Sequence, residues 1–250
     1  MKKIIFSALA LFLVGQVFAL NITDPFYMPK KEGFFLDSTL AFENSGPTRA
    51  YGIKETFYYG IMDNLSLGVD LGWAKIKDGD NGLQDPNIYA RYRLIHEEDS
   101  RDGLVVDLKG YISPSIFNSP ANGKKGVAKG STNFGFSVLG GSREWLANTL
   151  LYLEVSLQSI GSTDYTKSGT IIGISGNGKY YLDDLNSFGA GVFTKMYSGF
   201  GNSYTGYGIR LDYARVLQDN LALVPFWSAE AHSDHIPSEV NYGITLRYTF

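Results

Sequence analysis

The 250 residues contain no cysteine, which removes disulfides and thiolate metal sites from consideration. Histidine is scarce: His96, His232 and His235 are the three. Basic charge is not in excess, since 22 Lys and Arg face 25 Asp and Glu, a formal net charge of −3. A nucleic-acid partner wants a clustered basic surface, so none is expected. Long apolar runs are confined to the first residues, and no later stretch reaches the ~20 residues of a membrane-spanning helix. No phosphate loop or carboxylate dyad is legible, and no cofactor is expected.

The start of the chain has its own chemistry. Met1-Lys2-Lys3 precedes an apolar run from Ile4 to Val14, and Val17-Phe18-Ala19 follows. A basic n-region, a short h-region and a small-residue cleavage signal predict a secretory leader over residues 1–19. Residues 20–32 read as a short periplasmic lead-in, and 33–250 as one domain.

What the chain has in plenty is glycine (29), tyrosine (17) and phenylalanine (16), yet its mean hydropathy is only −0.09. Alternation explains that average. Leu65, Leu67, Val69, Leu71 and Trp73 interleave with Ser66, Gly68, Asp70, Gly72 and Ala74. Leu151, Leu153, Val155 and Leu157 interleave with Tyr152, Glu154, Ser156 and Gln158. The last residues repeat the pattern, with Tyr242, Ile244, Leu246, Tyr248 and Phe250 against Gly243, Thr245, Arg247 and Thr249. A period of two puts the two sets on opposite faces of a strand. An apolar face finished by aromatics, opposite a polar face, is what a transmembrane barrel strand needs.

The same reading predicts about twelve strands: Gly33–Glu43, Ala50–Ile61, Leu65–Ala74, Pro86–Ile95, Leu104–Ser113, Ser131–Gly141, Thr149–Gln158, Gly169–Tyr181, Ser187–Tyr197, Tyr204–Val216, Leu221–Ala231 and Tyr242–Phe250. Tight turns at Ile61-Met62-Asp63-Asn64, Leu182-Asp183-Asp184-Leu185 and Gln218-Asp219-Asn220-Leu221 alternate with longer loops. Three features are uneasy. Glu55 turns to the apolar face unless a bulge repairs the phase, Pro225 removes a ladder donor from the eleventh strand, and strands eight and nine are rich in glycine. The expected fold is all-β, a transmembrane antiparallel up-and-down β-barrel.

With those phases the interior carries Asp37, Asp70, Tyr89, Arg91, Arg93, Asp107, Lys109, Tyr111, Glu154, Lys195, Arg210, Asp212, Glu230 and Arg247, joined by Glu43 and Lys54. Acids and bases balance, so weak ion selectivity is expected, and Arg247 is expected to meet Asp37 at the seam. Opposite charges on adjacent strands can pair across a ladder. Twelve strands lie between the eight that side chains can fill and the sixteen that leave an aqueous channel. The longest loop, Pro114–Gly130, brings Lys124, Lys125 and Lys129 toward the mouth as a candidate constriction.

The terminal strand resembles the C-terminal signal of bacterial outer-membrane barrels, with Tyr248 and Phe250 as its aromatic marks. That resemblance implies the barrel assembly machinery as a partner. Two further pieces, Tyr59-Gly60-Ile61-Met62-Asp63-Asn64-Leu65-Ser66-Leu67-Gly68 and Gly82-Leu83-Gln84-Asp85-Pro86-Asn87-Ile88-Tyr89-Ala90-Arg91-Tyr92-Arg93, resemble segments of the outer-membrane proteins of the phenol meta-degradation pathway. Gln84 stands where that family usually has Gly. The resemblance implies a porin-like transport protein passing small hydrophobic or aromatic solutes.

The expected place is the Gram-negative outer membrane after leader cleavage, with outer-membrane lipid and small solutes as partners. The oligomeric state is not written in the pattern. The chain is not expected to be an enzyme. A lipid-modifying barrel enzyme and a non-conducting structural or adhesive barrel stand as alternatives. His232 and His235 beside Asp234 and Ser233 read as a solvated external loop, because a Ser-His-Asp site needs a rigid scaffold. No metal site is expected.

Overall fold

A computed structural model describes residues 22–46, 48–117, 130–162, 167–201, 203–233 and 237–250. Twelve strands make the fold: β1 Phe34–Ser45, β2 Thr48–Met62, β3 Leu65–Ile76, β4 Asn81–Ile95, β5 Leu104–Ser113, β6 Asn133–Leu146, β7 Thr149–Ile160, β8 Gly169–Tyr181, β9 Asn186–Ser198, β10 Tyr204–Gln218, β11 Leu221–His232 and β12 Glu239–Thr249. Each pairs antiparallel with its neighbour in sequence, and β1 pairs β12 from Phe35↔Thr249 to Ser45↔Glu239, closing the barrel. A closed sheet has no edge, so every strand gives its donors and acceptors to a neighbour.

The alternation sorts the two faces. Leu67, Leu71, Leu153, Val155, Leu157, Ile209 and Leu211 stand exposed on the outside. The apolar belt is closed at one rim by Phe34 stacked on Phe250 at 4.0 Å, with Tyr248 edge-on to Phe250 at 4.3 Å. At the other rim Phe42 stacks on Tyr242 at 5.3 Å and Tyr51 meets Trp73 at 6.1 Å. These are the aromatic girdles of a membrane-spanning barrel.

The two rims differ. The C-terminus and the five turns β2–β3, β4–β5, β6–β7, β8–β9 and β10–β11 share one of them, here the turn rim. Local chemistry makes these turns: Asp183 accepts the amides of Leu185 and Asn186 at 2.8 and 2.7 Å, and also the Asn186 side chain. Those bonds, the Asn186 side chain foremost, hold the Asp183 carboxyl below its usual range. The opposite end is the loop rim.

Several boundaries differ from the sequence reading. β4 starts at Asn81 rather than Pro86, because its register against β3 jumps between Asp70↔Asn87 and Gly72↔Gln84. Asp85 and Pro86 occupy that bulge, where a residue without an N–H costs the ladder nothing. β6 continues past Gly141 to Leu146 through a second irregularity after Ser142. Pro225 does not break β11. The β10 ladder skips the bridges opposite Val224 and Pro225 while the register on either side is unchanged.

The bulge suggested near Glu55 is not formed. β1 and β2 hold one register from Phe34↔Tyr59 to Ser45↔Thr48. Glu55 stays on the outer face and accepts a hydrogen bond from Ser38 Oγ at 2.6 Å, so a neighbouring strand satisfies it where it stands.

The two faces give a direct test. Arginine at outward Val155, which is 49% exposed, is expected to cost about 2–4 kcal/mol near mid-bilayer. Arginine at the next residue, inward Ser156, is expected to be tolerated. Urea unfolding of both variants in lipid vesicles measures this, and equal losses would mean that the faces are exchanged.

Candidate functional site

Residues 22–33 run inside the barrel at the turn rim. Phe26 has no exposed surface and packs on Val105 of β5, Leu150 of β7 and Tyr181 of β8, with Tyr152 edge-on at 6.1 Å. Tyr27 meets Phe35 of β1 at 5.7 Å. A segment touching β5 to β8 on one side and β1 on the other crosses the lumen.

Charge fixes it there. Arg91 and Arg93 lie two apart on β4, hence on one face, and both donate to Asp107 of β5, whose side chain is 1% exposed. Arg93 Nε to Asp107 Oδ1 is 2.7 Å and Arg91 Nε to Oδ2 is 3.0 Å. Two guanidinium groups on one carboxylate leave donors over, and backbone carbonyls of the segment take them. Arg91 donates to Pro25 O at 2.7 Å and Tyr27 O at 3.3 Å, and Arg93 to Phe26 O. Lys179 donates to Thr23 O at 2.8 Å and Arg247 to Ile22 O at 2.8 Å. Asp24, itself buried, accepts from Arg143, from Tyr181 Oη at 2.7 Å and from the Phe26 amide at 2.8 Å.

Two cavities lie beyond the segment. One of about 430 Å³ is lined by the segment and by Asp37, Asp70, Asp212 and Arg247. The other, of about 520 Å³, is lined by Tyr111, Glu154, Lys195 and Arg210 among others. Tyr89 and Lys109 line both, and so stand at their junction. Rings run along this wall from Phe35 to Tyr58 at 4.7 Å, Tyr89 at 6.0 Å and Tyr111 at 5.9 Å. Glycine makes room for them. A Cβ on Gly68 would lie 2.8 Å from the Tyr58 ring, and one on Gly135 2.3 Å from that of Tyr111.

Most of the charges read from sequence as inward are paired. Arg247 makes two 2.6 Å bonds to Asp37 across the seam. Asp70 accepts from Asn87 at 3.1 Å and from Tyr89, with Lys54 at 3.8 Å. Lys179 reaches Asp212 at 3.5 Å, and Lys195 reaches Glu230 at 2.5 Å. Glu43, Lys109, Arg210 and Glu154 form no ion pair among the described residues. Lys124, Lys125 and Lys129 lie outside the described residues. The two ends of their loop are tied to buried Asp85, which accepts from the amides of Ile116 and Phe117 at 2.9 Å and of Gly130 at 3.3 Å.

His232 departs from the sequence reading. It is the last residue of β11, and its side chain is 6% exposed, not solvated. Tyr197 and Tyr204 flank its ring at 5.9 and 5.5 Å, Nε2 meets Glu230 at 3.1 Å and Nδ1 meets Pro237 O at 2.8 Å. Sequence reasoning also missed Asp24, Arg143 and Lys179. The aromatic pair Phe26-Tyr27, costly to leave in water, was the one signal that the lead-in is enclosed.

No model of a known family matches the chain, and no curated protein sequence does. Solved structures match by fold. The COG4313 outer membrane channel from Pseudomonas putida F1 aligns over 91% of this chain and 100% of its own, with a TM-score of 0.70 at 12% identity. The NanC porin aligns over 86% and 100%, with a TM-score of 0.57 at 10% identity. The KdgM porin, in complex with disordered oligogalacturonate, aligns over 86% and 99%, with a TM-score of 0.54 at 12% identity. At such identities the likeness is one of fold alone: this chain's closed β-barrel resembles the fold of a named outer-membrane channel and two named porins.

Asp107→Ala leaves the buried Arg93 and the partly buried Arg91 without their shared carboxylate. Breaking a buried pair in this way is expected to cost about 3–5 kcal/mol. A urea-midpoint shift measures the loss, and faster proteolysis within residues 22–28 reports release of the segment. An unchanged midpoint and an unchanged cleavage pattern would show that Asp107 does not hold it.

Proposed function

We propose that the chain is an outer-membrane channel for passive diffusion of small solutes, small aromatic or hydrophobic compounds among them. The observation that carries this reading is a lipid-facing barrel whose interior is not filled by side chains: two cavities meet at Tyr89 and Lys109. The named channels and porins of like fold support it. The row of rings from Phe35 to Tyr111 and the family resemblance of residues 59–68 and 82–93 support the solute class. A secretory leader removed after Ala19 would deliver the chain to the outer membrane, with the turn rim and both termini on the periplasmic side.

In this reading residues 22–32 narrow the periplasmic exit. The deciding experiment is planar-bilayer conductance with ion-selectivity measurement. The full mature chain is expected to give a small conductance with weak selectivity, since interior acids and bases largely cancel. Removing residues 22–32 is expected to raise the conductance. No current from either chain would overturn the channel reading.

Tyr248 and Phe250 serve in the same reading as the signal for the barrel assembly machinery. Phe250 is 60% exposed in the folded chain, so its burial contributes less than the ~1.5–3 kcal/mol of a fully buried side chain of that size. Deleting it is nevertheless expected to block insertion in cells while leaving folding into detergent micelles in vitro largely intact. Normal insertion of the truncated chain would remove the signal role.

A further inference from the structure

Of the four charges read from sequence as inward that form no ion pair among the described residues, Glu43 stands apart near Glu239 and the other three share one cavity. Lys109, Arg210 and Glu154 all line the 520 Å³ cavity. We propose that Lys109 and Arg210 form a binding station for the carboxylate of a small, flat organic monoacid, whose apolar body rests on Tyr89 and Tyr111. The proposal rests on the channel reading for its biological use but not for its chemistry.

Lys109 lacks a carboxylate for a structural reason. Its neighbours on the same face of β5 are Asp107 and Tyr111, and Asp107 is committed to Arg91 and Arg93. Across the ladders it stands opposite Arg91 on β4 and Ser137 on β6, so neither side offers an acid. Its ammonium instead lies 4.2 Å from the centre of the Tyr89 ring and 5.9 Å from that of Tyr58. A cation–π contact holds the charge in place without neutralising it.

Arg210 is arranged in a comparable way. Its cross-strand neighbours are Gly191 and Ser228. The guanidinium reaches over Gly191 to Asn177 Oδ1 at 2.6 Å and Ser175 Oγ at 3.3 Å. Both acceptors are neutral. A Cβ at residue 191 would lie 2.0 Å from Asn177 Oδ1, so the glycine keeps this contact open. Two of the five guanidinium donors are used by that pair, and the planar fork suits a carboxylate.

The remaining groups set the ligand's charge and shape. Lys195 is matched by Glu230 at 2.5 Å, which leaves two cations and Glu154 at the cavity. That balance favours a monoanion, and Glu154 repels a second carboxylate. The rings of Tyr89 and Tyr111, 5.9 Å apart, supply an apolar wall for a flat body. A volume of about 520 Å³ falls within the range of small-molecule sites.

The test uses the purified mature chain in detergent, with benzoate, the neutral isostere benzamide and the dianion phthalate as probes in calorimetric titration. Benzoate is expected to bind about tenfold or more tightly than benzamide or phthalate, a difference of ~1.4 kcal/mol. Lys109→Gln and Arg210→Gln should each weaken benzoate, and the double variant should bind it no better than benzamide. Glu154→Gln should bring phthalate closer to benzoate. Equal affinity for benzoate and benzamide, or unchanged binding by the double variant, overturns the proposal. Single-channel recording separates the two readings. Conductance with no charge-dependent binding sinks the station alone, whereas Lys109- and Arg210-dependent binding without conductance sinks the channel alone.

Discussion

A backbone in hydrocarbon has no water to bond with, so every N–H and C=O in the span must find a partner within the chain. The β1–β12 seam meets that requirement, and the rest of the architecture depends on it. Closure commits each strand to one inner and one outer face, because alternation leaves no third choice. Leu67 and Val155 go to lipid and Asp70 and Glu154 go inside for the same geometrical reason. The polar interior is therefore a consequence of closure.

An interior of charged side chains must then answer its own electrostatics. Isolated charges are costly away from bulk water, and here most are matched by a charge on another strand: Arg247 with Asp37 on the adjoining strand, and Lys195 with Glu230 and Lys179 with Asp212 across one intervening strand. At the turn rim the match is deliberately uneven in effect, since Arg91 and Arg93 share Asp107. The surplus donors find Pro25, Phe26 and Tyr27 carbonyls that would otherwise be buried without partners. The segment and the arginines satisfy one another, so neither the lumen's charge nor the segment's path can be understood alone.

The sequence made the barrel legible because its two-residue period is strong wherever leucine or valine meets serine, glycine or a charge, as from Leu65 to Ala74. It also foretold Arg247 against Asp37, since the first and last strands of a closed barrel must meet. What it could not give is depth and direction for side chains off the pattern. Residues 22–33 have no period to read, so Asp24 and Phe26 looked like part of a periplasmic lead-in. Lys179 sits in a run of glycines where phase is weakly marked, and Arg143 lies within the irregularity between Ser142 and Leu146. His232 looked solvated because its neighbours in sequence are loop residues, whereas its neighbours in space are Glu230, Tyr197 and Tyr204.

Asp85 and Pro86 show how an interruption of the pattern becomes a device. Proline has no amide to donate, so a ladder that includes it must yield there. The β3–β4 pairing yields by a bulge, which takes Asp85 out of alternation and leaves it 3% exposed. In that place its carboxylate gathers the amides of Ile116, Phe117 and Gly130, the two ends of the longest loop. A carboxylate accepting several backbone amides is a strong, directional anchor. The residue that most weakens the case for a strand at this point is thus beside the one that fixes where the loop begins and ends, and both follow from a single missing N–H.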